Sequence, residues 1–296
     1  MTVKKAQIFE VKSGSSMGVV VQELSENGFI KSEFFFNSLS KFLNANKKLK
    51  SGYYEILPKM SIWGFIDKIS KGSVISTKVT LIEGKTISFY FNQLSDELSI
   101  NPSGSLDEVM QSIGINEPYD GWFFPDTYIF NYGESLENVL KKSNQELLKH
   151  LDKLWNTRDK SLPFQSKYDA VILASLIENE TALDTEKSDI AGVFIRRLAI
   201  GMRLQTDPTV IYALGDDYVP PLKKSDLRID SLYNTYRNKG LPPGAISSVG
   251  YQSLYAAFHP SSGTDLYFVS KKDGSHAFAP TYEAHKKNIK KYLNNN

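Results

Sequence analysis

The 296-residue sequence contains no cysteine, which excludes disulfides, thiolate nucleophiles and cysteine-ligated zinc. That absence fits an envelope protein, and many cytosolic ones as well. Long apolar runs are also missing: the longest, "AVILASLI", has about eight residues against the ~20 needed to span a bilayer. The opening "MTVKKAQIFEVKSG" has no apolar stretch behind its lysines and is not a signal peptide. Taken literally the chain is soluble, and a role outside the cytoplasm implies an anchor or signal that has been removed. Neither charge sign is in excess. With 35 Lys+Arg against 33 Asp+Glu the net charge is +2, far from the basic excess of a nucleic-acid binder, so no nucleic-acid partner is expected. The histidines at 150, 259, 276 and 285 follow no metal-ligand spacing, and no glycine-rich phosphate loop or G-x-S-x-G is present. Neither a metal nor a nucleotide cofactor is expected.

What is present is an ordinary globular composition, 41% hydrophobic and 23% charged, enough for a real core in one large domain or two smaller ones. "AQIFEV" alternates like a strand, and "SGSSMGVVVQELSENG" has a Ser cap, an apolar face and Gly28 as a stop. "KSEFFFNSLSKFLNA" reads as a second helix and "SGYYEIL" as a returning strand. Together they make a β-α-α-β unit, followed by a short helix and a further strand at "VISTKVTLIEG". A boundary is expected near 80–85. Beyond it lie a helical region broken by loops, the aromatic cluster "YDGWFFPDTYIF", and a basic C-terminal helix fraying into the asparagines 294–296.

The stretch "LASLIENETALD" sets Glu178 and Glu180 at the end of an apolar run. A helix over 169–182 with Asp169 as N-cap puts the two about 200° apart, so they cannot form a close carboxylate pair. The preceding-turn neighbours of Glu180 are Ile177, Leu176 and Leu173, whereas Glu178 sits over Ser175, Ala174 and Val171. Glu180 is thus the carboxyl set among apolar side chains, where desolvation raises a pKa toward general-acid duty. Helix geometry alone leaves open a solvated terminal turn with both acids hydrated. "RLQTDPT" places Arg203, Gln205, Asp207 and Thr209 around a proline, with Asp207 as a good N-cap or as part of a site. Carboxylate chemistry beside clustered aromatics and amides suits a carbohydrate substrate.

"DGWFFPDTY", "LASLIENETA", "VFIRRLAIGMRLQTDPTVIYALG", "YNTYRNKGLPPGAISSVG" and "AAFHPSSGTDLYFVSKKDGSHAF" together resemble the YceG-like family, the endolytic murein lytic transglycosylases. The match runs from about residue 80 to the C-terminus. The resemblance implies an α+β fold: a LysM-like β-α-α-β subdomain over 1–82, then a mixed α/β YceG-like catalytic domain over 83–296. It implies cleavage of the MurNAc-β-1,4-GlcNAc bond within peptidoglycan strands to give 1,6-anhydro ends, without cofactor. The second Glu of the family's E-x-E-T motif, its acid/base, maps onto Glu180. Support for the transition state falls to Gln205, Asp207, Asn234 and Tyr236, with Glu178, Thr209 and Asp126 as supporting residues and Trp122, Phe124 and Tyr128 as sugar-stacking or core rings. Family members carry a transmembrane anchor that this chain lacks, so an extracytoplasmic place at the inner membrane, with peptidoglycan synthases of the elongation or division machinery as partners, is implied only by resemblance. Two alternatives stay open: a hydrolytic muramidase pairing Glu180 with Asp207, and a non-catalytic glycan-binding scaffold.

Overall fold

The computed structural model describes residues 1–97, 99–101 and 104–293. They group into two compact units. In the first, β1 (Gln7–Val11) and β2 (Gly52–Ile56) pair antiparallel, Gln7 opposite Ile56 and Val11 opposite Gly52. The period-2 alternation turns Phe9, Val11, Tyr54 and Ile56 inward. Between the strands run α1 (Met17–Glu26) and α2 (Glu33–Phe42), each opened by a serine: Ser16 Oγ accepts from Val19 N at 3.4 Å and Ser32 Oγ from Phe35 N at 3.3 Å. The β-α-α-β order read from the sequence is the order observed. A third helix, α3 (Ile62–Lys71), starts at Ser61 and stops at Gly72, whose φ of +73° is left-handed. Phe65 of α3 meets Phe9, Phe36 and Tyr54 edge-on at 6.1–6.5 Å and centres this core.

The first unit holds residues 1–79. It also takes in 94–103 and 127–139, segments far along the chain. Strand pairing explains their return: β3 (Ser76–Thr80) hydrogen-bonds with β5 (Thr127–Asn131), and β4 (Ile100–Asn101) lies parallel to β6 (Glu134–Ser135).

The second unit is mainly helical. Its elements include most of α4 (Ile87–Ser95), α5 (Leu106–Ser112), all but the first turn of α6 (Leu136–Thr157), α7 (Lys167–Glu180), α8 (Asp184–Ala199), α9 (Asp207–Leu214) and α10 (Tyr251–Phe258). A hairpin of β7 (Tyr267–Ser270) and β8 (His276–Ala279) and the helix α11 (Tyr282–Tyr292) follow. Helix α7 is its core: every residue from Ala170 to Ile177 is buried, and α8 and α10 pack against it. The sequence placed the N-cap at Asp169, but Ser166 holds that position. Ser166 Oγ accepts from Asp169 N at 3.2 Å, and the Asp169 carboxylate reaches back to Ser166 N at 3.1 Å. Asp169 is therefore the third helical residue closing a capping box, and the helix starts earlier than the apolar pattern indicates. Gly121 allows the chain to cross α7 closely. A Cβ there would stand 2.5 Å from Ala245 Cβ and 2.9 Å from Val171 Cγ1, at a φ of +82°. No described helix is long and apolar enough to cross a membrane, and the asparagines at 294–296 lie outside the described residues.

Candidate active site

The two glutamates leave α7 in different directions, as 100° per residue requires. The Glu178 carboxylate is 7% exposed and faces Lys187 of α8 at 3.4 Å, while Gly250 N donates to its Oε2 at 2.9 Å. Lys187 Nζ also reaches Asp184 at 2.9 Å. The sequence put Glu178 on the more polar face, yet the fold buries it, because α8 brings a cation to that face. Glu178 thus ties α7, α8 and the start of α10 together.

Glu180 opens instead onto a cavity of about 370 Å³. Thr181 ends the helix in extended conformation, and its hydroxyl accepts from Leu183 N at 3.0 Å, turning the chain into α8. The Thr206 hydroxyl donates to Oε1 of Glu180. Burial pushes the Glu180 carboxyl up to about 7 and outweighs the Thr206 hydrogen bond; nearby Asp207 adds to the rise and Arg197 opposes it. The group is therefore partly protonated near neutrality, the condition for a general acid.

The "RLQTDPT" segment builds the neighbouring wall. Of the two places the sequence offers Asp207, N-cap or site, the cap belongs to Thr206, and Asp207 and Pro208 begin α9. Thr206 makes no side-chain cap bond because its hydroxyl serves Glu180. Thr206 is held in place by its backbone N donating to Thr235 Oγ1 at 3.1 Å and by the buried Thr209 hydroxyl donating to its carbonyl at 2.7 Å. Gln205 adopts a φ of +49°, a left-handed conformation that non-glycine residues seldom take and that recurs at functional sites. Its side-chain amide lines the cavity with no protein partner among the described residues. The Tyr236 phenol donates to Asp207 Oδ1 at 2.5 Å. Burial, then the Asp207 carboxylate, raises the Tyr236 pKa, so it remains a donor.

Arg197 of α8 enters the same cavity. Its guanidinium donates to the carbonyls of Leu204 and Leu266, the latter at 2.7 Å, and burial lowers its pKa. Its neighbour Arg196 binds the carbonyls of Asp265 at 2.7 Å and Ser261 at 2.8 Å. The twin arginines of "FIRRLAIG" thus pin the 261–266 segment that leads into β7.

Of the residues expected in the site, Glu180, Gln205, Asp207 and Tyr236 line one cavity. Thr209 and Asn234 are buried beneath it. The Asn234 amide donates to the carbonyls of Leu227 at 3.1 Å and Ile229 at 2.9 Å and its Oδ1 accepts from Tyr236 N, so it aims Tyr236. Trp122 stacks on Tyr168 with ring centroids 4.6 Å apart and lines a different cavity with Asn144 and Leu148. Phe124 and Tyr128 are buried and offer no face to a sugar, because their rings fill apolar interior. Tyr128 and the exposed Asp126 flank the start of β5, and the Asp126 carbonyl accepts from Leu81 N at 3.0 Å. Thr206, Arg197, Tyr267, His276, Tyr282 and His285 were missed. All but the last two sit inside the motifs quoted above, yet no spacing singles them out. Their roles come from the turns that bring them together.

Comparison with known proteins places the chain among named relatives. The chain is 32% identical to an endolytic murein transglycosylase of Bacillus subtilis, over 96% of this chain and 84% of that protein. It is 24% identical to a protein of the same name from Streptococcus pneumoniae, of which it covers 59%. A crystal structure of a yceG-like protein from Listeria monocytogenes superposes with a TM-score of 0.56 at 28% identity, covering 96% of this chain and 99% of that one. The sequence profile of the YceG-like family matches residues 9–291. The chain belongs to the YceG-like family.

Proposed function

We propose that the protein is an endolytic murein transglycosylase, a lyase that cleaves the MurNAc-β-1,4-GlcNAc bond within peptidoglycan strands and leaves 1,6-anhydro-MurNAc ends. The observation that carries the reading is Glu180: a single carboxyl held near neutrality in a polar cavity, hydrogen-bonded by Thr206, with the Asp207 carboxylate nearby. Protonated Glu180 donates to the glycosidic oxygen as the C1–O bond breaks. The resulting carboxylate then takes the proton of the muramic acid C6 hydroxyl as that oxygen bonds to C1, so Glu180 ends protonated and no water is consumed. Asp207, which accepts from the Tyr236 phenol, and the Gln205 amide support the oxocarbenium-like charge.

A second reading is favoured by one feature, Asp207 in the same cavity: a muramidase that pairs the two carboxylates to hydrolyse the same bond. Digestion of purified sacculi in ¹⁸O-water with mass analysis of the muropeptides separates the two. Anhydro ends without label are expected, and a labelled reducing end would replace transglycosylation by hydrolysis. Absence of any product would leave the glycan-binding scaffold. The reading carries with it a place on the extracytoplasmic side of the cell envelope, where the glycan lies and peptidoglycan synthases of the elongation or division machinery work. In the same reading the N-terminal β-α-α-β unit is a LysM-like module that holds the strand.

A further inference from the structure

The wall contributed by the C-terminal segment is the unassigned part of the Glu180 cavity. Strands β7 and β8 and helix α11 place Tyr267, His276, Tyr282 and His285 along it. Glu186 of α8 grips His276 at two points: its Oε1 accepts from the backbone N at 2.9 Å and its Oε2 lies 2.8 Å from Nδ1. An ionised carboxylate only accepts, so Nδ1 carries a proton, and in the neutral ring Nε2 is left with its lone pair. Phe268 meets the imidazole edge-on at 5.4 Å and fixes its plane. No described protein group bonds Nε2. Beside it stands an aromatic cluster: the Tyr267 ring lies 5.1 Å from His285 at 23° and 5.9 Å from Tyr282. Tyr282 is 56% exposed, and the buried Nδ1 of His285 has no hydrogen-bond partner. A fixed acceptor next to an exposed ring is the pairing that recognises a pyranose, through a hydroxyl and a C–H face.

We propose that this C-terminal wall is a saccharide-holding surface of the cavity, in which His276 Nε2 accepts a hydrogen bond from a sugar hydroxyl and Tyr282 stacks on a ring face. Glu186 is a positioning residue acting through His276. The assignment of the sugar rests on the function proposed above. It adds binding groups on the side of the cavity supplied by β7, β8 and α11, away from α7 and the 205–209 segment that carry the acid/base and its neighbours.

The test is a titration of ¹⁵N-labelled full-length E180Q protein with a soluble, peptide-free strand of alternating GlcNAc and MurNAc. The His276 imidazole nitrogen resonances are expected to move saturably. Added to E180Q, H276A and Y282A should each weaken binding about tenfold. Adding Y282F should leave binding unchanged, and H276Q should retain most of it because its amide oxygen reaches the Nε2 position. Static His276 resonances, no saturable binding, or equal losses in H276A and H276Q with a fallen melting temperature would each overturn the inference. Undiminished anhydro product from E180Q with intact His276 behaviour would remove the acid/base reading and leave the sugar wall standing.

Discussion

The two faces of the last turn of α7 carry the same side chain and treat it oppositely. On one face Glu178 meets a cation and a backbone N–H, Lys187 at 3.4 Å and Gly250 N at 2.9 Å. On the other, Glu180 receives one hydroxyl and feels Asp207 as well as Arg197, and burial keeps its carboxyl near 7. Satisfying a buried charge makes it structural, whereas partial satisfaction leaves a proton free to move. Burial alone therefore does not identify the working acid. The partners do.

The largest expected effect breaks the comparison outright. Glu180→Gln keeps the shape and the Thr206 contact but removes the proton, and anhydro-muropeptide release should fall by about 10²- to 10⁴-fold. Wild-type rates on sacculi would sink the assignment. Glu178→Gln should act on stability instead. It strands the buried Lys187 and should cost about 3 kcal/mol in urea unfolding, softened by the remaining Asp184 contact at 2.9 Å. The double change Glu178→Gln with Lys187→Met should recover most of that loss; if it does not, the ion pair is not what Glu178 supplies.

Glu180 should itself show a stability cost of opposite sign. Its folded pKa of about 7 lies above the ordinary 4.5, so the native state binds more protons between those values and stability falls as pH rises through that window. Glu180→Gln removes the penalty and should be more stable than wild type above pH 7, by about 3 kcal/mol at most, with no gain below pH 4. A pH-independent difference between the two proteins would contradict the shift. The smallest effects sharpen the electrostatics. As a general acid Glu180 loses activity as pH rises through about 7. Asp207→Asn removes a charge that raises its pKa and should move that limb to lower pH, while Thr206→Val removes a hydrogen bond that lowers it and should move the limb to higher pH. Profiles of kcat/KM that shift the same way in both variants would refute this arrangement.

Local chemistry was legible in the chain. Serines 16, 32 and 61 cap the helices that their sequence context announces, and the alternation in "AQIFEV" and "SGYYEIL" gives the inward faces seen in β1 and β2. The boundary of α7 was misplaced because a serine cap with an acid three residues on competes with the apolar pattern, and the cap sits first. The return of 94–103 and 127–139 to the first unit was not legible, since strand partners far apart in sequence leave no local mark.

At the site the same division holds. Periodicity alone separated Glu178 from Glu180 and set the latter over Leu173, Leu176 and Ile177, because a helix fixes side-chain direction from residue number. Which face acquires a cation, a hydroxyl or a backbone N–H depends on contacts 9, 26 and 72 residues away, at Lys187, Thr206 and Gly250. The His276–Glu186 pair spans 90 residues. Such pairings are made by the packing of α8, the 205–209 segment and the C-terminal hairpin around α7. Direction is a property of the chain; the balance of desolvation and charge that tunes an acid exists only once those elements close around it.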